Sequence, residues 1–253
     1  MGKIIGEAEL MKLDKIPLVP KNSVVNFQAD RFSVSAQEVS FLEDSLFVTA
    51  WNEVMDEITP KANDAAISKI FWRAHVANSL FVNSYRQGGC YVECGTHLGI
   101  ISRMIFKLNR EKIFKKFLFD TWRGVPESQY NEDEPLADWH NKNNYNEDTY
   151  AFIEGLQNEY KDLTLVRGTV PETLSEEFAN LCPSFLHIDM NIEYPERKAL
   201  EFFVPQMCVG SIVLLDDYGF VKHSKQRHSQ DKYFRQFGKQ PTQLPTGQAF
   251  VII

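Results

Sequence analysis

CYVECGTHLGIISRMIFKLN, residues 90–109, decides the fold. Cys90 to Cys94 is a short apolar run holding a single acid, the length and composition of a buried strand. Gly95 and Gly99 bracket a turn in which the backbone can approach a ligand closely. Ile101 to Asn109 then reads as a helix. A strand that passes through a glycine turn into a helix is half of a βαβ unit. The alternation continues downstream, with KKFLFD (115–120), LTLVR (163–167), SFLHIDM (184–190) and SIVLLDD (211–217) as strands. Between them helices are expected over 149–160 and 171–181, then one opened by Pro195, a favoured first helical position. A polar helix over Gln226 to Phe237 stops at Gly238, and the chain closes on a strand after Gly247. This pattern predicts the α/β class, with a mostly parallel, doubly wound sheet.

Upstream, a long helix is expected from Asp64 to Arg86, capped by Asn63. Residues 1–62 read as an N-terminal extension, helix-like over Ala36 to Met55, that packs on the main domain of residues 63–253. The stretch Glu127 to Asp148 carries seven acids and one Lys. It reads as a loop or lid, because it has little apolar surface to offset the entropy of ordering.

Composition excludes several function classes. The chain has 253 residues, with 27 Lys+Arg against 34 Asp+Glu and a net charge of −7. An acidic surface is a poor ligand for nucleic acid, whose binding proteins displace counterions with basic side chains. No apolar run approaches the roughly 20 residues that span a bilayer, so no membrane partner is expected. Glu7 and Glu9 interrupt the apolar stretch that a signal peptide requires, and a cytoplasmic location is expected. The four cysteines, at 90, 94, 182 and 208, form no CxxC pair and no zinc ligand set, and read as reduced, buried thiols.

In an open α/β sheet ligands bind beyond the carboxyl ends of the strands, which makes the strand-end residues informative. The first turn has the spacing G-x-x-x-G, whereas a dinucleotide pyrophosphate favours G-x-G-x-x-G. Glu93, which precedes that turn, would repel a phosphate but can bind an ammonium group. Asp120 ends the second strand 25 residues after Gly95, near the spacing of an acid that holds ribose hydroxyls. Glu93, Gly95, Gly99 and Asp120 together suit S-adenosylmethionine, with Trp122 a candidate to flank the adenosine. Asp189 ends one strand, and Asp216 and Asp217 end the next. If those strands are neighbours, three carboxylates converge and need compensation, most simply by a divalent cation. All-oxygen ligands favour Mg²⁺. His187 shares the face of Asp189 and is a candidate to orient it, whereas Arg73 and His75 read as buried helix contacts.

Five blocks of the chain resemble the macrocin O-methyltransferase family: GCYVECGTHLGIISRMIF, FDTWRGVP, VRGTVPETL, FLHIDMNIEYPERKALEFFVPQM and SIVLLDDYGF. They occur in the family order from about Phe71 to the C-terminus. Members methylate sugars of macrolide and aminocoumarin antibiotics, and relatives occur in surface-polysaccharide gene clusters. The resemblance implies a class I methyltransferase fold with an antiparallel last strand, S-adenosylmethionine as donor, Mg²⁺ and a homodimer. It also implies a small-molecule glycosyl acceptor. Carried over by position, the cofactor residues are Glu93, Gly95, Thr96, Gly99, Asp120, Thr121, Trp122, Gly168, Val170 and Asp189. The metal ligands are Asp189, Asp216 and Asp217. Sugar-modifying members place a general-base Asp two residues after the first metal ligand. Here that residue is Asn191, whose amide cannot take the substrate's proton. Glu193 and His223 are the alternative catalytic candidates. Asn191 also leaves open a non-catalytic S-adenosylmethionine-binding partner protein, and a nicotinamide-dependent oxidoreductase is a weaker alternative.

Overall fold

The computed structural model describes residues 25–30, 32–35, 37–61, 69–130, 135–143, 145 and 147–253. A hairpin of β1 (Val25–Ala29) and β2 (Phe32–Ser35) comes first, followed by helices α1 (Ser45–Ile58) and α2 (Phe71–Ser84). Then come β3 (Cys90–Cys94), α3 (Ile100–Leu108), β4 (Lys115–Asp120), α4 (Pro135–Asn143), α5 (Tyr150–Glu154), α6 (Leu156–Glu159) and β5 (Leu163–Arg167). The chain continues through β6 (Pro183–Ile188), α7 (Glu193–Phe203), β7 (Ile212–Leu215), α8 (Ser224–Arg235), β8 (Thr242–Gln243) and β9 (Ala249–Ile252).

Seven strands form one sheet in the order β5-β4-β3-β6-β7-β9-β8. The first five are parallel, and β9 pairs antiparallel with both β7 and β8. This is the class I methyltransferase arrangement expected above. The two-residue β8 is an addition that no alternation in the sequence announces.

Strand parity builds two cores. Tyr91, Leu118, Phe185, Ile212 and Leu214 face one side, where they pack with Ala74, Ala77 and Phe81 of α2, Ile101, Met104 and Ile105 of α3, and Phe47, Val54 and Ile58 of α1. Val92, Cys94, Phe119, Leu186, Ile188, Val213 and Leu215 face the other, with Ala199, Leu200 and Phe203 of α7 and Phe234 of α8. Burial on both faces is what gives parallel strands their near-continuous apolar composition. Cys90 and Cys94 are buried thiols of the second core, while Cys182 and Cys208 are exposed.

Three expectations are corrected, and a fourth is reached only in part. The helix expected over 171–181 is a single 3-10 turn at Glu176–Phe178. There Thr173 donates its hydroxyl to the Thr169 carbonyl, the local bonding by which Ser and Thr compete with helix formation. The helix over 149–160 breaks at Gly155 into α5 and α6. The upstream helix is described over Phe71–Ser84, and its expected start at Asn63 lies outside the described residues. The acidic stretch is not all loop, since α4 crosses it with Pro135 at its start. Asn141 of α4 bonds both the N–H and the carbonyl of Val125, each at 2.7 Å, and so ties the helix to the strand-end loop.

Candidate active site

The strand order reverses between β3 and β6, which places the ligand crevice beyond their carboxyl ends. Gly95 makes that crevice possible. Its φ is +89°, and a Cβ there would lie 1.9 Å from the Asp189 carbonyl oxygen, so no larger residue fits between the two strand ends. The turn is held from β4. Asp120 Oδ2 accepts the Thr96 and His97 backbone N–H groups, each at 2.7 Å, and Oδ1 accepts that of Trp122 at 2.6 Å.

A cleft of about 670 Å³, open to solvent, occupies this position. Gly95, His97, Asp120, Thr121 and Trp122 form one wall, and Gly168, Thr169 and Val170 another. Asp189, Met190 and Asn191 close the end next to β6. Trp122 is 2% exposed and donates its indole N–H to the His97 carbonyl, which fixes the ring against the turn. Tyr145 reaches into the cleft from the acidic segment. It meets the His97 ring edge-on at 4.8 Å, and its hydroxyl accepts from Asn191 Nδ2 at 3.2 Å.

Beside the cleft lies a buried charge cluster on the sheet face that α2 covers. Glu93 accepts from Ser102 Oγ and pairs with His187 Nδ1 at 2.7 Å. His187 Nε2 is buried and makes no hydrogen bond among the described residues, with Asp216 Oδ1 3.5 Å away. Ligand atoms of His187, Asp189 and Asp216 lie within 4.8 Å of one another. Asp216 also accepts from Gln248 Nε2 at 2.8 Å and from Arg73 Nη1 at 2.6 Å. Asp217 stands outside that compact set, 3.7 Å from Arg73 Nη1 and 3.7 Å from His223 Nδ1.

The electrostatics follow from this packing. Burial alone would lower the basicity of His187, but the facing Asp216 and Glu93 carboxylates push its pKa up to about 10. Burial works against ionisation of Asp216 too, yet Arg73, His187 and Gln248 hold it well below the usual carboxylate range. Asp189 goes the other way: burial, then Asp216 and Asp217, push it well above that range. Ionisation of Asp189 therefore stays unfavourable even with Arg73 in place. Carboxylate oxygens crowded in this way fit a divalent cation, with Asp189 and Asp216 as the nearest acids that would hold it and Asp217 beside them, and His187 could join only by giving up its Nε2 proton.

The methyltransferase-domain family profile matches residues 92–218, half of the chain, from β3 to just past the Asp216–Asp217 pair. The chain belongs to this family. No curated protein matches the sequence. Among solved structures, the O-methyltransferase NovP superposes with a TM-score of 0.64 at 16% identity, covering 85% of this chain and 99% of NovP. The calicheamicin methyltransferase CalS11 does so at 0.62 and 18% identity, covering 81% and 91%. A second, apo structure of CalS11, there described as TDP-rhamnose 3'-O-methyltransferase, gives 0.53 at 17% identity, with 81% and 93% covered.

Several residues singled out in this methyltransferase from sequence lie on the cleft wall: Gly95, Asp120, Thr121, Trp122, Gly168, Val170, Asp189 and Asn191. Glu93, Thr96 and Gly99 stand behind it, Glu93 turned toward Ser102 and His187. The two base candidates part company. Glu193 Oε1 accepts from Arg197 Nε at 3.0 Å and Ser229 Oγ at 2.6 Å, within the contact between α7 and α8. His223, in a segment that reads as surface, is 7% exposed and faces Asp217. Arg73 and Tyr145 are the residues that sequence reading missed. For Arg73 a signal existed, since it stands beside the buried α2 stripe Ala74-Ala77-Phe81-Ser84, where a cation at the edge of a core implies a facing anion. Tyr145 carried no such signal.

Proposed function

We propose that this methyltransferase transfers a methyl group from S-adenosylmethionine, with Mg²⁺, to a hydroxyl of a sugar or glycosylated small molecule. One observation carries the reading: Asp189 belongs both to the wall of the cleft and to the carboxylate cluster. A cofactor in the cleft and a cation on the cluster would therefore meet at one side chain. The resemblance to the macrocin O-methyltransferase family, and the rhamnose derivative named for CalS11, support a sugar acceptor.

Bound there, S-adenosylmethionine supplies the electrophilic methyl group and Mg²⁺ supplies positive charge for the acceptor oxygen. The chain's own residues supply position. Asp120, through its bonds to Thr96, His97 and Trp122, fixes the turn that faces the cofactor. Trp122 and Val170 offer flat and apolar walls for the adenosine, and Gly168 leaves room beside them. Tyr145, held by Asn191, covers the cleft and excludes water where charge changes hands. His223 is the proton acceptor we favour over Glu193, whose carboxylate is committed to Arg197 and Ser229. Gln226 Nε2 donates to His223 Nδ1 at 2.8 Å, so the neutral ring keeps its proton on Nε2. Taking the substrate's proton at Nδ1, which lies 3.7 Å from Asp217, requires the Gln226 amide to give way.

Calorimetric titration with S-adenosylhomocysteine, with NADH in parallel and Mg²⁺ present, tests the cofactor. Micromolar binding of the first alone is expected; binding of NADH alone would overturn the reading. Asn191 at the cleft favours a second reading, a cofactor-binding partner protein without transfer activity. That reading predicts S-adenosylhomocysteine binding with no methyl transfer to any nucleotide sugar or glycoside.

A further inference from the structure

Arg73 sits where a cation for the aspartate cluster would be expected. It enters from α2, and its side chain is 11% exposed. Its guanidinium is divided between two anionic partners. One edge makes a bidentate pair with Asp30, Nε to Oδ2 at 2.5 Å and Nη2 to Oδ1 at 3.0 Å. The remaining nitrogen, Nη1, donates to Asp216 Oδ2 at 2.6 Å and lies 3.7 Å from Asp217 Oδ1. The Phe220 ring covers it, 4.8 Å from the guanidinium carbon. Asp30 is at the turn of the β1–β2 hairpin, with φ +48°, so the N-terminal hairpin grips the residue that neutralises the strand-end acids.

We propose that Arg73 is a built-in counter-cation that competes with a divalent ion for Asp216 and Asp217, with Asp30 as the partner that retains it when the ion binds. The inference rests on the metal-site reading given above. Its physical basis is exclusion. Two cations cannot share the same carboxylate oxygens at contact distance without strong repulsion, so occupancy by one lowers the affinity for the other. Arg suits the reserve position because its planar fork satisfies two carboxylates at once, and it can release Asp216 while both bonds to Asp30 persist. Divalent-ion binding is thereby coupled to the N-terminal hairpin. Arg73 is a positioning residue in this account, acting through the acids and not on the methyl group.

The test reads metal binding directly. Full-length protein is stripped with EDTA and titrated with Mn²⁺, and free Mn²⁺ is followed by its electron paramagnetic resonance signal. Melting temperature and S-adenosylhomocysteine binding verify that each variant is folded. Arg73→Gln should bind Mn²⁺ at least about tenfold more tightly than wild type, since a full positive charge has left the contact shell. If Arg73→Gln does not fold, Arg73→Lys replaces it. Its ammonium cannot bridge both acids, and a gain of about threefold is expected. Equal or weaker Mn²⁺ binding by the folded variant, with measurable binding by wild type, overturns the competition and leaves the metal site standing. Binding by neither overturns both. Binding by Arg73→Gln and not by wild type supports the competition and removes Mg²⁺ from the native reaction.

Discussion

His223 and Glu193 occupy similar places in the sequence, each a few residues past a strand that ends in aspartate. The folded chain treats them differently. Glu193 opens α7 and is bonded to Arg197 and Ser229. His223 is packed against Asp217 and Gln226. A general base contributes about 10²–10⁴ in rate. His223→Gln is therefore expected to lower kcat by about 10² or more with little change in KM. Glu193→Gln should leave both within about threefold, because it removes only a half-exposed ion pair. Steady-state kinetics on a purified nucleotide sugar acceptor decides the matter, and a reversed order would return the role to Glu193. The sequence could name the two candidates but not choose between them, since the choice depends on which partners the α7–α8 contact supplies.

At the scale of elements, the described part of the acidic segment shows how a polar stretch is held without a core of its own. Its ordering comes from bonds to the sheet. Asn141 ties α4 to Val125, and Asp148 gathers Arg123 Nε at 2.8 Å, Arg167 Nη2 at 2.5 Å and the Tyr150 N–H at 3.0 Å. The backbone bond and the two arginines lower the Asp148 pKa to about 2. A depressed carboxylate contributes its stabilisation above its unfolded value near 3.8, and that contribution is lost as pH falls through about 2. Asp148→Asn imposes the acid condition at neutral pH. Limited proteolysis should then cut within 127–148 several-fold faster than in wild type, with the sheet core still protected. Unchanged cleavage would mean that Asn141 and Tyr145 hold the segment without Asp148. The lid was legible in composition; its helix was not, because the bonds that order it join residues 16 to 25 positions apart.

For the whole molecule, the decisive quantity is charge held between layers. The described residues contain no helix long and apolar enough to cross a membrane. The sheet instead presents carboxylates at its strand ends to a helix on one face. A dication bound only by the native state at 100 times its Kd stabilises by about 2.7 kcal/mol. In a chain of this size that is a rise in melting temperature of roughly 5–10 °C. Saturating Mg²⁺ should produce such a rise over EDTA in differential scanning fluorimetry, and Asp189→Asn should abolish it. A rise that survives in Asp189→Asn would place the ion elsewhere.

Sequence alone determined the fold class, because strand and helix periods and the glycine turn at Gly95 are local signals. It also marked Asp120, Asp189, Asp216 and Asp217 as strand-end acids, since alternation fixes where each strand stops. Parity further assigned His187 to the face of Asp189. Tertiary structure alone decided that α2 covers that face and delivers Arg73 to Asp216, a partner 143 residues away. It likewise decided that Glu93 turns from the cleft toward His187, that Tyr145 reaches Asn191, and that the hairpin carrying Asp30 closes on the same guanidinium. Each of these is a long-range pairing of buried polar groups. Periodicity tells which residues are buried, and only packing tells which charges meet.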